Sequence, residues 1–278
     1  MVEHVSINGA QLAYRLVGPE NAPLIVTLHG GRGFGDHKSD FKAYSPLSSS
    51  HRVLSFDFRG HGQSSRTEPF TFHQLVEDIE GLRRHFLDDS QPCIICGGSF
   101  GGFLAQQYAI TYPSKVSHLI LRGTAPSHHR KYMENENAIR TLEERASKAP
   151  GLSINFLKDK IFGRFDSDIE FRLVMYAAAP LYSERFDPDQ GLKHNLDTVF
   201  YAKSHKEKFF DYRDRLHLIT GKTLVLVGEY DWICPPDQSR DIASRIPGAE
   251  LKIIANANHS VHLEKNAEVI ELIHQHLS

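Results

Sequence analysis

The sequence contains a serine, an aspartate and a histidine in an order that can build a nucleophilic catalyst: Ser99, Asp231 and His259. A serine hydroxyl is too weakly acidic to attack a carbonyl unaided, so it needs a base in contact and a carboxylate that orients the base. Ser99 lies in residues 97–101, Gly-Gly-Ser-Phe-Gly, which fit the pattern G-x-S-x-G of a sharp strand-to-helix turn. We therefore predict acyl transfer, with Ser99 as nucleophile, His259 as general base and Asp231 as its orienting acid.

Two of these three assignments have competitors nearby in the sequence. Glu229 and Asp237 are alternative acids, but Asp231 directly follows the end of a predicted strand, where catalytic residues of open sheets collect. His262 is the alternative base. We assign His262 to the wall of the site, because it falls at the start of the last predicted helix, whereas His259 lies in the preceding loop.

Acyl transfer also needs hydrogen-bond donors for the oxyanion that forms on the substrate. The backbone N–H of Phe100 is one candidate, because a helix begins near it. Gly31 is the other, since a glycine after a buried strand lets the backbone approach a carbonyl. Its glycine-rich segment matches neither GxxxxGK[ST] nor GxGxxG, so phosphate binding is the less favoured alternative. The candidate substrate contacts are Gly30, Arg32, Tyr176, Trp232 and His262, with loop stiffening as the alternative role for Arg32.

The elements that must position these residues alternate between apolar strands and amphipathic helices. The hairpin signal Asn8-Gly9 joins two edge strands. Short apolar runs bounded by turn residues predict buried strands over 24–28, 52–58, 93–96, 116–121, 223–227 and 250–254. Helical spacing predicts helices over 71–87, 103–112, 237–246 and 266–277. This alternation indicates an α/β fold with a doubly wound, mostly parallel sheet.

The pattern changes between the fourth and fifth of these buried strands. Residues 125–213 are charged, helix-favouring and rich in aromatic residues, and they contain no buried strand. We predict a sheet core built from 1–124 and 214–278, with 125–213 inserted as a helical cap after the sixth strand, counting the hairpin. Most of the aromatic side chains in the insertion are expected to pack its helices together, and a minority to line a pocket.

The composition limits the partners of the chain. With a net charge of -2, the sequence lacks the electrostatic footprint expected for nucleic acid or an anionic membrane, so we expect a small-molecule substrate. No apolar run approaches the ~18 residues that span a bilayer, and no signal segment is recognised, which predicts a cytoplasmic protein. The oligomeric state has no signature in the sequence.

Neither a metal nor a cofactor is predicted. The 17 histidines form no HExxH motif, and no nucleotide-binding motif is present. The three cysteines are Cys93, Cys96 and Cys234. Cys93 and Cys96 fit C-x-x-C, but they lie inside an apolar strand with their side chains on opposite faces, so we favour core thiols over a redox pair.

Taken together, these motifs resemble the α/β-hydrolase superfamily, and within it the branch of the proline iminopeptidases. The matching segments are 29–33 (HGGRG), 57–64 (DFRGHGQS), 97–102 (GGSFGG), 228–231 (GEYD), His259 and 262–265 (HLEK). The resemblance implies the α/β-hydrolase fold and a cofactor-independent Ser-His-Asp mechanism.

Three positions differ from the usual pattern of that branch. Arg32 replaces a proline, Phe100 replaces a tryptophan that follows the nucleophile, and Trp232 replaces a glutamate that holds the substrate's amino terminus. A carboxylate for that purpose could come instead from the insertion, which contains Glu134, Glu136 and Glu184.

Four functions are compatible with these residues. The first is hydrolysis of an ester, lactone or amide of a small, partly apolar molecule through an acyl-enzyme. The second is release of an N-terminal proline by the same residues, as a prolyl aminopeptidase. Hydrolysis of a C–C bond and ligand binding without turnover are the remaining alternatives.

Overall fold

The computed structural model describes residues 1–128, 165–179 and 210–278, together with positions 155, 160, 187–189 and 192. Eight strands and seven α-helices are described in this part of the chain. The strands are β1 (Glu3–Ile7), β2 (Ala10–Val17), β3 (Leu24–Leu28), β4 (Arg52–Phe56), β5 (Cys93–Gly98), β6 (Val116–Arg122), β7 (Lys222–Gly228) and β8 (Glu250–Ile254). The helices are α1 (His37–Tyr44), α2 (Phe72–Phe86), α3 (Phe100–Thr111), α4 (Asp168–Ala178), α5 (Pro236–Arg245), α6 (Val261–Glu264) and α7 (Asn266–Leu277).

The strands form one sheet in the order β1-β2-β4-β3-β5-β6-β7-β8. The hairpin β1–β2 is antiparallel and pairs with β4 in an antiparallel manner, while β3 to β8 run parallel. The prediction of a doubly wound, mostly parallel sheet is therefore confirmed. Because the six parallel strands end at one edge, the residues that follow them are brought together there.

The sheet is covered by helices on both faces, which is why its central strands are continuous apolar runs. Side chains alternate between two cores along each strand. In β5, Cys93 and Ile95 belong to the core under α2, α3 and α5, whereas Ile94 and Cys96 belong to the core under α1 and α7. The two cysteines thus lie on opposite faces, and all three cysteines are free and buried, as predicted.

Most boundaries agree with the sequence patterns, and the exceptions have local causes. The helix expected over 103–112 begins three residues earlier, directly after Ser99, because Gly101 packs closely against β3: a Cβ at this position would lie 1.9 Å from the Leu28 carbonyl oxygen. The strand expected to extend to residue 58 ends at Phe56. Asp57 turns away to accept hydrogen bonds from the backbone N–H groups of His37 and Gln63, each over 2.7 Å.

The chain between β6 and β7 lies largely outside the described residues, so the predicted cap 125–213 stays a prediction. Its described helix, α4, begins after Ser167, whose side chain accepts from the Glu170 N–H and caps the helix. The ring of Phe171 in α4 packs 5.4 Å from that of Phe34. This contact brings α4 next to the loop that follows β3. In the described part of the chain, no helix has the length and apolar character of a bilayer span.

Candidate active site

Ser99 occupies a strained backbone position between β5 and α3. Its dihedral angles are φ 52° and ψ -117°, a conformation that side-chain-bearing residues rarely adopt. Hydrogen bonds hold it there: the Ser99 N–H donates to the Arg122 carbonyl over 2.9 Å, and the Thr124 hydroxyl donates to the Ser99 carbonyl over 2.9 Å. Because β6 and the residues just after it thus fix both sides of the Ser99 residue, its hydroxyl stands at the sheet edge in a defined position.

Asp231 lies in the turn after β7, and its buried carboxylate is held by the backbone that follows it. Its Oδ1 atom accepts hydrogen bonds from the N–H groups of Ile233 and Cys234, at 3.0 and 2.9 Å. Nδ1 of His259 lies 3.0 Å from the same oxygen and 2.9 Å from Oδ2. A carboxylate accepts hydrogen bonds, so Nδ1 carries the proton and Nε2 is the basic nitrogen of His259.

Gly123 links the serine turn to the aspartate–histidine pair. It immediately follows Arg122, which binds the Ser99 backbone, and its own N–H donates to the Leu226 carbonyl of β7 over 2.9 Å. A Cβ atom on Gly123 would lie 2.9 Å from Oδ2 of Asp231 and 3.4 Å from Nδ1 of His259. The three candidate catalytic residues therefore converge on one edge of the sheet, around the end of β6.

The candidate oxyanion donors approach the serine from two sides. Phe100 is the first residue of α3, a position whose backbone N–H has no acceptor within the helix. From the other side, a Cβ on Gly30 would lie 3.2 Å from the Ser99 Cβ, so the loop after β3 covers the serine. Gly31 adopts φ 74° and its carbonyl accepts from the N–H groups of Phe34 and Gly35, which folds this loop back on itself.

A buried histidine that the sequence did not single out supports the same loop. Nε2 of His61 accepts a hydrogen bond from the Gly33 N–H over 2.7 Å, and its Nδ1 lies 3.1 Å from the Arg59 carbonyl. The backbone N–H can only donate, so His61 is neutral with its proton on Nδ1. Burial, followed by the neighbouring His29, lowers the pKa of His61 to about 3, which keeps the ring neutral and this contact intact across the physiological range.

The candidate substrate contacts differ in their surroundings. The guanidinium of Arg32 lies 4.8 Å above the ring of Phe72 and 5.7 Å from that of Phe100. The side chain of Trp232 is 1% exposed, which makes it part of the packed interior beside Asp231. Tyr176 is half-buried on α4. Gly30 covers Ser99, as described above, and Arg32 combines loop packing with a position next to the Phe100 ring.

His262 belongs to a separate short helix, α6, rather than to the start of α7. Lys265, with φ -126°, separates the two helices. His262 is buried, with Nε2 3.4 Å from Oδ1 of Asp40 and its ring stacked on Tyr44 at 6.2 Å. Burial, and after it the charges of Arg122 and His259, hold the pKa of His262 well below its usual value, so it is neutral.

A buried ion pair beneath the serine turn was also missed by the sequence reasoning. Arg122, the last residue of β6, donates through Nη2 to Oδ1 of Asp40 over 3.2 Å and through Nε to the Tyr44 hydroxyl over 3.1 Å. The available signal was an arginine at the end of an otherwise apolar strand, which must find a partner because an unpaired buried charge is unstable. In the described residues, no group of three His, Cys, Asp or Glu side chains could hold a metal ion.

Comparison with known proteins shows to which family the chain belongs. Residues 23–266 match the family model described as alpha/beta hydrolase fold. The chain belongs to the α/β-hydrolase family. This α/β hydrolase is 62% identical over 283 residues to the proline iminopeptidase PfmaB of Pestalotiopsis fici, with 100% of this chain and 99% of the relative covered. That identity assigns it to the proline iminopeptidase branch, and the prediction of a hydrolase is confirmed.

More distant proteins that the α/β hydrolase resembles are named for different activities. It is 25% identical to an sn-1-specific diacylglycerol lipase of Mus musculus, over 98% of this chain and 86% of the relative. A crystal structure of a proline iminopeptidase from Mycobacterium smegmatis matches with a TM-score of 0.73 at 19% identity, covering 99% of this chain and 98% of the other. At that identity the match shows a shared fold.

Proposed function

We propose that this α/β hydrolase cleaves an ester, lactone or amide of a small, partly apolar molecule through a covalent acyl-enzyme on Ser99. One observation carries the proposal: the buried Asp231–His259 pair, joined at 2.9 Å, adjoins the strained turn that presents Ser99. A serine held in this way, beside a histidine whose tautomer is fixed by a carboxylate, is the arrangement that nucleophilic catalysis requires.

The proposed reaction has two half-reactions of the same kind. The Ser99 oxygen attacks the acyl carbon while His259 Nε2 takes its proton, and the N–H groups of Gly31 and Phe100 bind the oxyanion. His259 then gives the proton to the leaving alcohol or amine as the acyl bond breaks. Water repeats the sequence on the acyl-enzyme, which releases a carboxylic acid and restores Ser99.

We infer that the substrate is partly apolar from the side chains that lie beside the glycine-rich loop after β3. Phe34, in this loop, packs against a small apolar cluster that includes Phe171 and Met175 of α4 and the neighbouring Phe165. We assign this cluster to the side of the acyl site, as part of the cap that we propose for residues 125–213. Apolar lining with a few polar groups is the usual make-up of a small-molecule site.

Prolyl aminopeptidase activity is the second candidate, favoured by the name of the relative with 62% identity. A substrate with a free amino terminus requires a carboxylate, because a desolvated ammonium without a partner is costly. The residue after Asp231 is the buried Trp232 and provides none. Glu134, Glu136 and Glu184, the alternatives noted in the sequence, lie outside the described residues.

Two assays separate these functions. Purified wild-type protein is tested for turnover of p-nitrophenyl butyrate and of proline p-nitroanilide, and for labelling by a fluorophosphonate probe. We expect ester turnover and labelling, and we expect both to vanish in Ser99→Ala. A Ser99→Ala variant that keeps turnover would overturn the proposal. Turnover of the proline anilide with no ester turnover would replace the first candidate with the second, and a single slow turnover with retained ligand would indicate a binding protein.

A further inference from the structure

The buried ion pair beneath the serine turn contacts both the segment that carries Ser99 and the segment that carries His259. We propose that Asp40 and Arg122 are positioning residues, which hold the Ser99 turn and the His259 loop in register for acyl transfer. The inference rests on the proposed function, since it concerns the geometry of the same catalytic residues.

Arg122 contacts the turn that carries Ser99 through both its backbone and its side chain. Its carbonyl accepts from the Ser99 N–H over 2.9 Å, and in the sheet register it lies opposite Gly98. Its guanidinium lies so close to Gly98 that a Cβ atom there would stand 1.9 Å from Nη2. The glycine before the nucleophile therefore serves a specific purpose, because it leaves room for the Arg122 side chain under the turn.

The guanidinium is in turn fixed by α1. Its side chain is 4% exposed and that of Asp40 is 2% exposed, so neither charge has water as an alternative partner. Asp40 and Tyr44 are four residues apart and project from one face of α1 toward Arg122, where both are bonded to it. Removing either charge alone would leave the other buried and uncompensated, which strongly couples α1 to the serine turn.

The loop that carries His259 is attached to α1, the helix that carries Asp40. His262 lies three residues beyond His259, and its neutral ring packs against Asp40 with Nε2 3.4 Å from Oδ1 and no hydrogen bond between them. The Asn266 side chain strengthens this attachment, since its Nδ2 donates to the carbonyls of Ala43 in α1 and His262 in α6, each over 2.9 Å. A shift of α1, which carries Asp40, would therefore displace both the nucleophile and the base.

The experiment compares single, conservative and double variants by steady-state hydrolysis of p-nitrophenyl butyrate and by the rate of fluorophosphonate labelling. We expect Asp40→Asn and Arg122→Met each to lower kcat about 100-fold, the scale of a 1 Å misplacement of reacting groups. KM should stay within about twofold, because the pair does not touch the substrate. Arg122→Lys, which keeps the charge but loses the fork, should recover about 10-fold of that loss.

The double variant Asp40→Asn/Arg122→Met serves two purposes. It leaves no unpaired charge from this pair in the interior, so it stays measurable if a single variant fails to fold. If the pair acts as a unit, the kcat of the double variant should be about that of Arg122→Met alone, not the product of the two single losses. The matched control is Glu80→Gln/Arg83→Met, a buried ion pair on α2 with a 2.8 Å contact that touches neither Ser99 nor the His259 loop.

The outcomes distinguish this inference from the proposed function. If wild-type protein is not labelled, or Ser99→Ala keeps its activity, the proposed function fails. If wild-type protein is labelled and the folded Asp40 and Arg122 variants react at the wild-type or control rate, the positioning role alone is overturned. A loss confined to KM, or a double variant with normal kcat, would also overturn it.

Discussion

Gly123 leaves no room for a side chain beside Asp231: a Cβ atom at this position would lie 2.9 Å from the Asp231 Oδ2 atom. Gly123 also has φ 47°, so Gly123→Ala adds both strain and a contact. We expect this variant to lower kcat about 100-fold, because the aspartate must shift and no longer aligns His259. Steady-state hydrolysis of p-nitrophenyl butyrate measures the effect.

The control for this variant is Gly248→Ala. Gly248 has φ 72°, and apart from its own atoms and its two chain neighbours no atom of the described residues lies within 4 Å of the position that a Cβ would take, so it carries the same kind of strain at an exposed site. We expect it to cost about 1 kcal/mol in stability and to leave kcat unchanged. Equal activities of the two variants would contradict a packing role for Gly123 beside Asp231.

The contact between His61 and Gly33 supports the loop that carries Gly31. His61→Phe keeps an aromatic ring in the stack with Phe100, whose centroid lies 6.0 Å away, and loses both hydrogen bonds. We expect kcat to fall about 10-fold, since a loosened oxyanion donor stabilises the transition state less well. His85→Phe, at an exposed histidine of α2, is the control and should leave kcat unchanged.

The pH dependence of His61 provides an independent check. Because the pKa of His61 is lowered to about 3, its contact with Gly33 should persist from neutral pH to well below pH 5. The NMR signal of the His61 ring should accordingly show no titration between pH 5 and 8. A titration midpoint for this ring near 6.5 would rule out the buried neutral state.

A group of partly buried histidines predicts that acid destabilises the protein. Partial burial lowers the pKa of His118, followed by the charges of His276, Lys222 and His51, and burial together with His274 lowers that of His51. A histidine with a depressed pKa contributes stability above its unfolded-state pKa, about 6.5, and loses it as the pH falls through the folded-state value. We therefore expect a lower Tm at pH 5 than at pH 7.5.

His118→Gln should reduce this difference in Tm, since it removes one of the protonation sites. The reduction should be small, because His118 is only partly buried and is one of several protonation sites. Thermal melts at both pH values, with exposed His85→Gln as control, provide the measurement. An equal pH dependence in the two variants would show that His118 plays no part in it.

Because α3 packs closely on β3, we expect a small substitution at their contact to lower the stability of the protein strongly. A Cβ on Gly101 would lie 1.9 Å from the Leu28 carbonyl oxygen, a backbone atom that cannot move without breaking the sheet. Gly101→Ala should therefore destabilise the protein by about 3 kcal/mol, at the upper end for overpacking. Urea unfolding, compared with Gly248→Ala, measures the difference, and similar losses in both would contradict it.

The sequence was informative where local pattern and general topology suffice. Ser99, Asp231 and His259 each follow an apolar run, and parallel strands end at one edge, so their convergence could be predicted. The glycines on either side of Ser99 predict the sharp turn there. The start of α3 does not follow from local pattern, because glycine is a poor helix former in isolation, whereas at Gly101 its small size permits close approach to β3.

The supporting residues were beyond such reasoning. Asp40 and Arg122 are 82 residues apart, and no spacing rule pairs a helix residue with the end of a distant strand. His61 looked like one more polar residue of a glycine-rich loop. Only its burial and its contact with Gly33 reveal a structural role, and both depend on how separate loops pack together.

The burial of the three cysteines has a practical consequence. Burial raises the pKa values of Cys93 and Cys96 to about 12 and that of Cys234 well above its usual value, so each is a protonated, enclosed thiol. Since a thiolate is the reactive species, we expect the three native cysteines of the folded enzyme not to react with maleimides, so none of them needs to be replaced. A single Leu173→Cys change, at a residue 68% exposed on α4, would then give site-specific attachment of a fluorophore to this helix.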